Sequence, residues 1–234
     1  MKPVKRLLSV ARAIKIVPVK NEKYIPALSY DWLTPFYDPV VRLTTREDAF
    51  KKALIEQSNV EAASRVLDLA CGTGTLTVLI KNAAPRAEVV GIDGDQKILK
   101  IAEAKAKRAG VQVRFDEGMS FDLPYPDASF NRVFSSLFFH HLTRENKLQT
   151  FCEVRRVLKP NGELHVADWG LPANSLMRFA SYFIQLLDGF ETTGDNFNGL
   201  LPKLIIESGF ESVAETALFN SVFGTIRLYA SRKF

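Results

Sequence analysis

The sequence contains little cysteine. Cys71 and Cys152 are the two cysteines among its 234 residues, and a pair so far apart provides neither a disulfide framework nor the closely spaced thiols of a zinc site. We therefore expect no disulfide, no metal site and a reducing, cytoplasmic environment.

Long apolar runs are also missing. No stretch reaches the roughly twenty apolar residues that a membrane-spanning helix needs, and the N-terminus lacks an apolar core followed by a small-residue cleavage site. With 47% hydrophobic residues, a chain of this length can bury one sizeable core. We expect a soluble protein whose residues 24–234 form a single domain after a leader of residues 1–23.

Acidic residues are nearly absent from that leader. Residues 1–23 carry seven lysines and arginines against the single Glu22, a net charge of +6, which leaves the other 211 residues at −1. The basic character therefore belongs to a tail, and the domain itself is not expected to bind nucleic acid. The leader could be a solvated segment, an import signal, or a basic amphipathic helix that contacts an anionic membrane peripherally.

Strand-like and helix-like segments alternate along the rest of the chain. This order predicts an α/β fold, a Rossmann-like and mostly parallel sheet with helices on both faces and a C-terminal antiparallel hairpin. The predicted strands are 65–70, 87–92, 111–115, 130–136, 163–167, 210–219 and 224–232. The predicted helices are 46–59, 75–83, 144–158, 174–188, 198–208 and one that Asp95 caps and Gly110 ends.

The segment Val66 to Gly74 reads as a buried strand that turns directly into a helix. Asp93 follows at the end of the next strand, so free N–H groups and a carboxylate meet where a nucleoside could lie. A dinucleotide fingerprint would need a third glycine at Thr77. Asp68 would repel a pyrophosphate and could accept a hydrogen bond from an ammonium group. A cationic nucleoside without phosphate fits best.

Residues 66–74 resemble the first motif of the class I S-adenosylmethionine-dependent methyltransferases, particularly the small-molecule and quinone-modifying branch. Three more segments follow in the family's order, namely 91–93, 118–125 and 156–164, the last leading to Asp168. The resemblance implies a seven-stranded sheet and S-adenosyl-L-methionine as cofactor. It also implies the cofactor contacts: Ala70, Gly72, Thr73 and Gly74 at the methionyl end, Asp68 at the ammonium and Asp93 at the ribose.

The adenine end departs from the family pattern. Members often carry Gly-Asp after the third strand, but here Met119 follows Gly118. Adenine recognition is then expected to depend on packing against Met119 and Gly94 and on backbone or Ser120 contacts. The alternative is that Met119 only fills the core.

Two of the three histidines come shortly after the fourth strand, at whose carboxyl end an open α/β sheet places its ligand. Ser136, at that end of the strand, is expected to contact the cofactor. In some sugar and natural-product O-methyltransferases that this segment resembles, the first histidine acts as a base with an aspartate after the fifth strand. Those positions are His140 and Asp168. A hydroxyl nucleophile must lose its proton as it attacks, and imidazole titrates near neutral pH. Histidine pairs also occur here in relatives with other chemistry.

Aromatic residues cluster in two further segments. Residues 24–60 are expected to form N-terminal cap helices, with Tyr37 closing over the cofactor, although Tyr30 is a competing copy. Residues 171–208 are expected to wall the substrate pocket with Phe179, Tyr182, Phe183, Phe190 and Phe197, unless these side chains are core.

Together these features predict a methyltransferase acting on a small, partly apolar or aromatic molecule. The acceptor could be oxygen, nitrogen or a quinone-precursor carbon. The alternatives are a membrane-associated lipid or quinone-precursor methyltransferase, a non-catalytic subunit that binds S-adenosylmethionine, and a dinucleotide oxidoreductase.

Overall fold

The computed structural model describes residues 44–60 and 65–234. Its strands are β1 (Arg65–Leu69), β2 (Glu88–Asp93), β3 (Arg114–Glu117), β4 (Phe130–Ser136), β5 (Leu158–Trp169), β6 (Val213–Ser221) and β7 (Gly224–Arg232). Its helices are α1 (Glu47–Glu56), α2 (Thr75–Ala83), α3 (Gln96–Arg108), α4 (Arg144–Val157), α5 (Ser175–Asp188), α6 (Phe190–Phe197) and α7 (Leu201–Glu207). A 3-10 turn covers Phe139–His141.

The strands form one seven-stranded sheet in the order β3-β2-β1-β4-β5-β7-β6. Neighbours from β3 to β5 pair in parallel, whereas β7 runs antiparallel to both β5 and β6. The predicted fold class and the C-terminal hairpin are therefore confirmed. The strand order reverses at β1, so the carboxyl ends of β1, β2, β4 and β5 border one crevice, where open α/β sheets bind their ligands.

Both faces of the sheet are covered by apolar side chains. On β1, Leu67 and Leu69 enter one buried cluster with Phe139 and Phe151, whereas Val66 enters the other. This alternation follows from the two-residue period of a strand. Burial on both faces explains why β1 is apolar after Arg65 except for Asp68.

Some predicted boundaries were wrong. The third strand begins at Arg114 instead of 111, because α3 ends in a Schellman motif in which Val111 N–H donates to the Ala106 carbonyl. That N–H is then not free to pair with β2.

The C-terminal half differs from prediction as well. The fifth strand starts at Leu158, which pairs with Phe130 before a register shift. A separate helix, α6, fills most of the space between two predicted helices. In the described part of the chain, no helix is both long enough and apolar enough to cross a membrane.

Candidate active site

One carboxylate at the crevice connects the turn after β1 to the end of β2. Asp93, nearly buried at the end of β2, accepts the N–H of Gly72 at 2.9 Å and the N–H of Asp95 at 3.0 Å. Burial raises the pKa of Asp93, and its bonds to these backbone N–H groups act in the opposite direction. An ionised carboxylate has about four acceptor sites, so two remain for hydroxyl groups such as those of a ribose.

The turn after β1 repeatedly adopts left-handed backbone angles. Ala70 has φ 54°, Gly72 φ 53° and Gly74 φ 75°, conformations that L-residues other than glycine rarely adopt. Leu137, after β4 at the same edge of the sheet, is also left-handed with φ 52°. Such outliers persist only where surrounding structure fixes them, and they are frequent at ligand sites.

The two glycines of the turn have different surroundings. A Cβ added at Gly74 would lie 2.8 Å from the Cβ of Ala102, so Gly74 allows α2 and α3 to approach closely. A Cβ added at Gly72 would meet no atom within 4 Å. Gly72 therefore faces open space beside Asp93, and a nucleoside cofactor fits a site built in this way.

Asp68 is buried where β1 meets α2. Its Oδ2 accepts the Thr77 hydroxyl at 2.6 Å, so the residue at the place of the missing third glycine stabilises this carboxylate. Burial raises the pKa of Asp68 to about 7, partly offset by the Thr77 bond and by the positive charge of Lys51. Asp68 can therefore change its charge near neutral pH.

A second pair of polar residues lies at the ends of β4 and β5. Asp168 is fully buried, and its Oδ2 accepts the N–H groups of Phe138 and Phe139 at 3.1 and 2.7 Å. Its Oδ1 accepts the Trp169 N–H and lies 2.7 Å from Nδ1 of His140. An ionised carboxylate only accepts, so Nδ1 of His140 carries the proton and Nε2 keeps a free lone pair.

Two titratable groups that the motifs had not singled out surround that lone pair. Asp188, the last residue of α5, places Oδ2 3.7 Å from Nε2 of His140. The His141 ring centroid lies 4.0 Å from that of His140. Burial raises the pKa of Asp188. Burial also lowers the pKa of His141, and protonation of His140 would lower it further. Asp188 has no local motif, so only the packing of α5 could reveal it.

Known methyltransferases have sequences similar to this chain. A family model described as a methyltransferase domain matches residues 66–162. The demethylmenaquinone methyltransferase of Lactobacillus johnsonii is 31% identical over 86% of this chain and 90% of its own length. The chain belongs to the class I S-adenosylmethionine-dependent methyltransferases.

Other similarities are partial or concern the fold. The demethylmenaquinone methyltransferase of Deinococcus radiodurans is 33% identical over 66% of this chain. The match spans only 65% of the relative's own length. The crystal structure of the [4+2]-cyclase SpnF superposes with a TM-score of 0.66 at 18% identity, covering 87% of this chain and 94% of that one. SpnF carries a name other than methyltransferase, so the fold alone does not fix the reaction.

The predicted methionyl contacts lie together on the turn of the methyltransferase. They all fall within five consecutive positions, 70–74, and are Ala70, Gly72, Thr73 and Gly74. The Thr73 hydroxyl accepts a 2.8 Å hydrogen bond from Lys105. Sequence reasoning had not predicted this lysine on α3.

The predicted adenine contacts are less uniform. Gly94 follows Asp93 directly, and Met119 is half-buried beside Gly118, whose N–H donates to the Asp93 carbonyl. The Ser120 hydroxyl lies 3.0 Å from that of Thr150 on α4. The Ser120 hydroxyl therefore has a partner within the protein, and the predicted contacts of Gly94, Met119 and Ser120 with adenine stay predictions.

Three predicted regions remain as predictions. Tyr37, the basic leader and most of the N-terminal cap lie outside the described residues. Ser136 lies half-buried at the end of β4, opposite Ala167 of β5. Among the aromatics of 171–208, Phe197 is buried against Trp169, whereas Phe179, Tyr182, Phe183 and Phe190 are exposed.

Proposed function

We propose that this protein transfers the methyl group of S-adenosylmethionine to a small aromatic acceptor of the quinone-precursor class. The observation that carries the proposal is that the nucleoside crevice and the His140–Asp168 pair share one edge of the sheet. Leu69 of β1 is in register with Ser135 of β4, and β4 in turn pairs with β5. Two strand spacings are about 10 Å, a distance that one bound nucleoside can bridge.

The residues on the crevice side would bind the cofactor. Asp93 would accept the ribose hydroxyls, Gly72 would leave room for the methionyl end, and ionised Asp68 would attract the ammonium. When bound, S-adenosylmethionine supplies a methyl group on a positively charged sulfur, a good leaving group. Strong acids and bases are therefore needed only on the acceptor side.

The residues on the other side would activate the acceptor. Nε2 of His140 would take a proton from an acceptor hydroxyl, and Asp168 would stabilise the resulting imidazolium through Nδ1. Removing that proton enriches both the oxygen and the adjacent ring carbon in electrons. The named relatives act on demethylmenaquinone, which favours the ring carbon as the acceptor in this protein.

The test is a transfer assay with methyl-labelled S-adenosylmethionine and a reduced, short-chain demethylated naphthoquinone. We expect a labelled product whose new methyl group is bonded to a ring carbon, as fragmentation and NMR can show. A product labelled on oxygen would retain the enzyme but correct the acceptor atom. Cofactor binding without any labelled product across a metabolite panel would favour a non-catalytic subunit.

We further propose that the protein contacts anionic membranes peripherally. One face of α5 exposes apolar side chains at helical spacing, including Leu176, Phe179, Leu186 and Leu187, which are 66 to 75% exposed. An apolar helix face together with a basic segment is typical of interfacial binding, and residues 1–23 supply the positive charge. Both features suit an acceptor that partitions into lipid.

Sedimentation with anionic vesicles tests this contact. Deleting residues 1–23, or replacing Phe179 and Leu186 by Ser, should each reduce the fraction that sediments. Leu218→Ser is the matched control, because Leu218 is an exposed apolar residue on β6. Equal sedimentation of all four proteins would contradict the proposal.

A further inference from the structure

Three side chains at the acceptor side converge in a way that proton transfer alone does not require. Single ligand atoms of His140, His141 and Asp188 all lie within 4.8 Å of one another. Two of these atoms, Nε2 of His140 and Oδ2 of Asp188, are 3.7 Å apart. All three groups belong to elements that pack around the ends of β4 and β5.

The surroundings of His140 match those of a metal-binding histidine. Such a histidine almost always donates its other ring N–H to a carboxylate, a backbone carbonyl or a water molecule, which fixes the tautomer and makes the free nitrogen more basic. Asp168 does this for Nδ1 at 2.7 Å, and three backbone N–H groups hold the carboxylate in place. Nε2 is therefore oriented towards Asp188 by a rigid support.

We propose that His140, His141 and Asp188 bind one divalent transition-metal cation of the zinc type. Two nitrogens and one carboxylate oxygen are a usual donor set for zinc, with the fourth position left to water. At metal–ligand distances of about 2.1 Å, tetrahedral ligand atoms lie about 3.4 Å apart. The ligand atoms, which lie at most 4.8 Å apart, therefore need to approach one another by at most about 1.4 Å. Asp188 at the end of α5 can move by side-chain rotation.

Metal occupancy has a consequence that rests on the proposed function. A cation on Nε2 of His140 takes the lone pair that would remove the proton of the acceptor hydroxyl. Asp93 lies on β2, on the opposite side of β1 from β4 and β5, and Gly72, in the turn after β1, donates its N–H to Asp93, so neither residue belongs to the metal site. Bound zinc therefore inhibits methyl transfer while it leaves cofactor affinity unchanged, which makes the site an inhibitory one.

Direct binding to the tag-free chain tests the site without any activity measurement. Equilibrium dialysis with Zn²⁺ and visible absorption with Co²⁺ are measured in a Cys152→Ser background, because Cys152 is an exposed thiol. We expect one equivalent of metal and the strong absorption bands of tetrahedral Co²⁺. Affinity should fall more than about tenfold in His141→Ala and in Asp188→Asn. It should stay unchanged in Glu191→Gln, an exposed carboxylate on α6.

The outcomes separate the metal site from the proposed function. Failure to bind one equivalent of either metal, or equal affinity in all variants, overturns the site. Zinc should lower the rate of methyl transfer by the wild type. Half inhibition of the Asp188→Asn variant should need at least about ten times more zinc. Activation by zinc overturns the inhibitory role. Absence of transfer by the zinc-free protein contradicts the proposed function alone, because metal binding is measured separately.

Discussion

Replacing Gly72 by Ala isolates the contribution of the open space beside Asp93. The new methyl group meets no protein atom within 4 Å, and the Gly72 N–H bond to Asp93 is retained. The folded state then bears only the strain of φ 53° in a non-glycine residue, about 1–2 kcal/mol. For a chain of this size, that lowers Tm by about 2 to 8 °C.

Gly110→Ala is the matched control for this strain. Gly110 also has a left-handed φ, 68°, and open space around an added Cβ, but it ends α3 away from the carboxyl edge of the sheet. Both variants should therefore lose similar thermal stability. Only Gly72→Ala should bind S-adenosylmethionine more weakly, by about tenfold to a hundredfold, because a methyl group forced into a packed contact costs about 1–3 kcal/mol.

Calorimetric titration and differential scanning fluorimetry measure the two effects separately. Unchanged cofactor affinity in Gly72→Ala, with a Tm matching that of Gly110→Ala, would refute the assignment of this space to the cofactor. Equal loss of affinity in both variants would show instead that general destabilisation weakens binding.

Four more outcomes follow from the buried polar groups. The pKa of Asp68 is raised to about 7 in the folded protein, against about 4 in the unfolded chain. Ionisation of Asp68 therefore destabilises the folded state as pH rises from about 4 to about 7. Asp68→Asn should flatten that part of a Tm–pH profile. Cofactor affinity should instead rise through pH 7 as Asp68 becomes charged, which titrations at several pH values can check. Thr77→Val removes the hydroxyl bond to Asp68 and should cost about 1–3 kcal/mol in denaturant unfolding; no loss would mean that the bond is unimportant. His140→Ala should lower kcat by about 10²- to 10⁴-fold with unchanged cofactor Kd, and unchanged turnover would remove His140 from the mechanism.

The sequence was most informative where local pattern and chemistry coincide. The β1 turn could be predicted because the apolar strand ends at Leu69 and the small residues 70–74 follow. Asp95 indeed caps α3 by accepting the Lys97 N–H. The C-terminal hairpin was predictable because two strand-like runs, 210–219 and 224–232, are joined by a short turn. The structure then shortens that turn to residues 222–223.

The missed features depend on contacts between distant segments. The role of Asp188 arises only because α5 packs its last turn against the turn that carries His140, and no spacing along the chain encodes that contact. The pocket wall at residues 171–208 stays a prediction. That the aromatic side chains of α5 are exposed could not be read from the sequence, because aromatic content alone does not tell which way a helix faces. The start of β3 was misplaced because β-propensity at Val111 competes with the Schellman end of α3, and the helix end prevailed.

The most direct test of the account is calorimetric titration of the wild type and of Asp93→Ala with S-adenosylmethionine and, separately, with NAD. The account predicts that the wild type binds S-adenosylmethionine and does not bind NAD, and that Asp93→Ala loses S-adenosylmethionine binding because the ribose hydroxyls lose their acceptor. Tight NAD binding that Asp93→Ala abolishes, with no binding of S-adenosylmethionine, would contradict it.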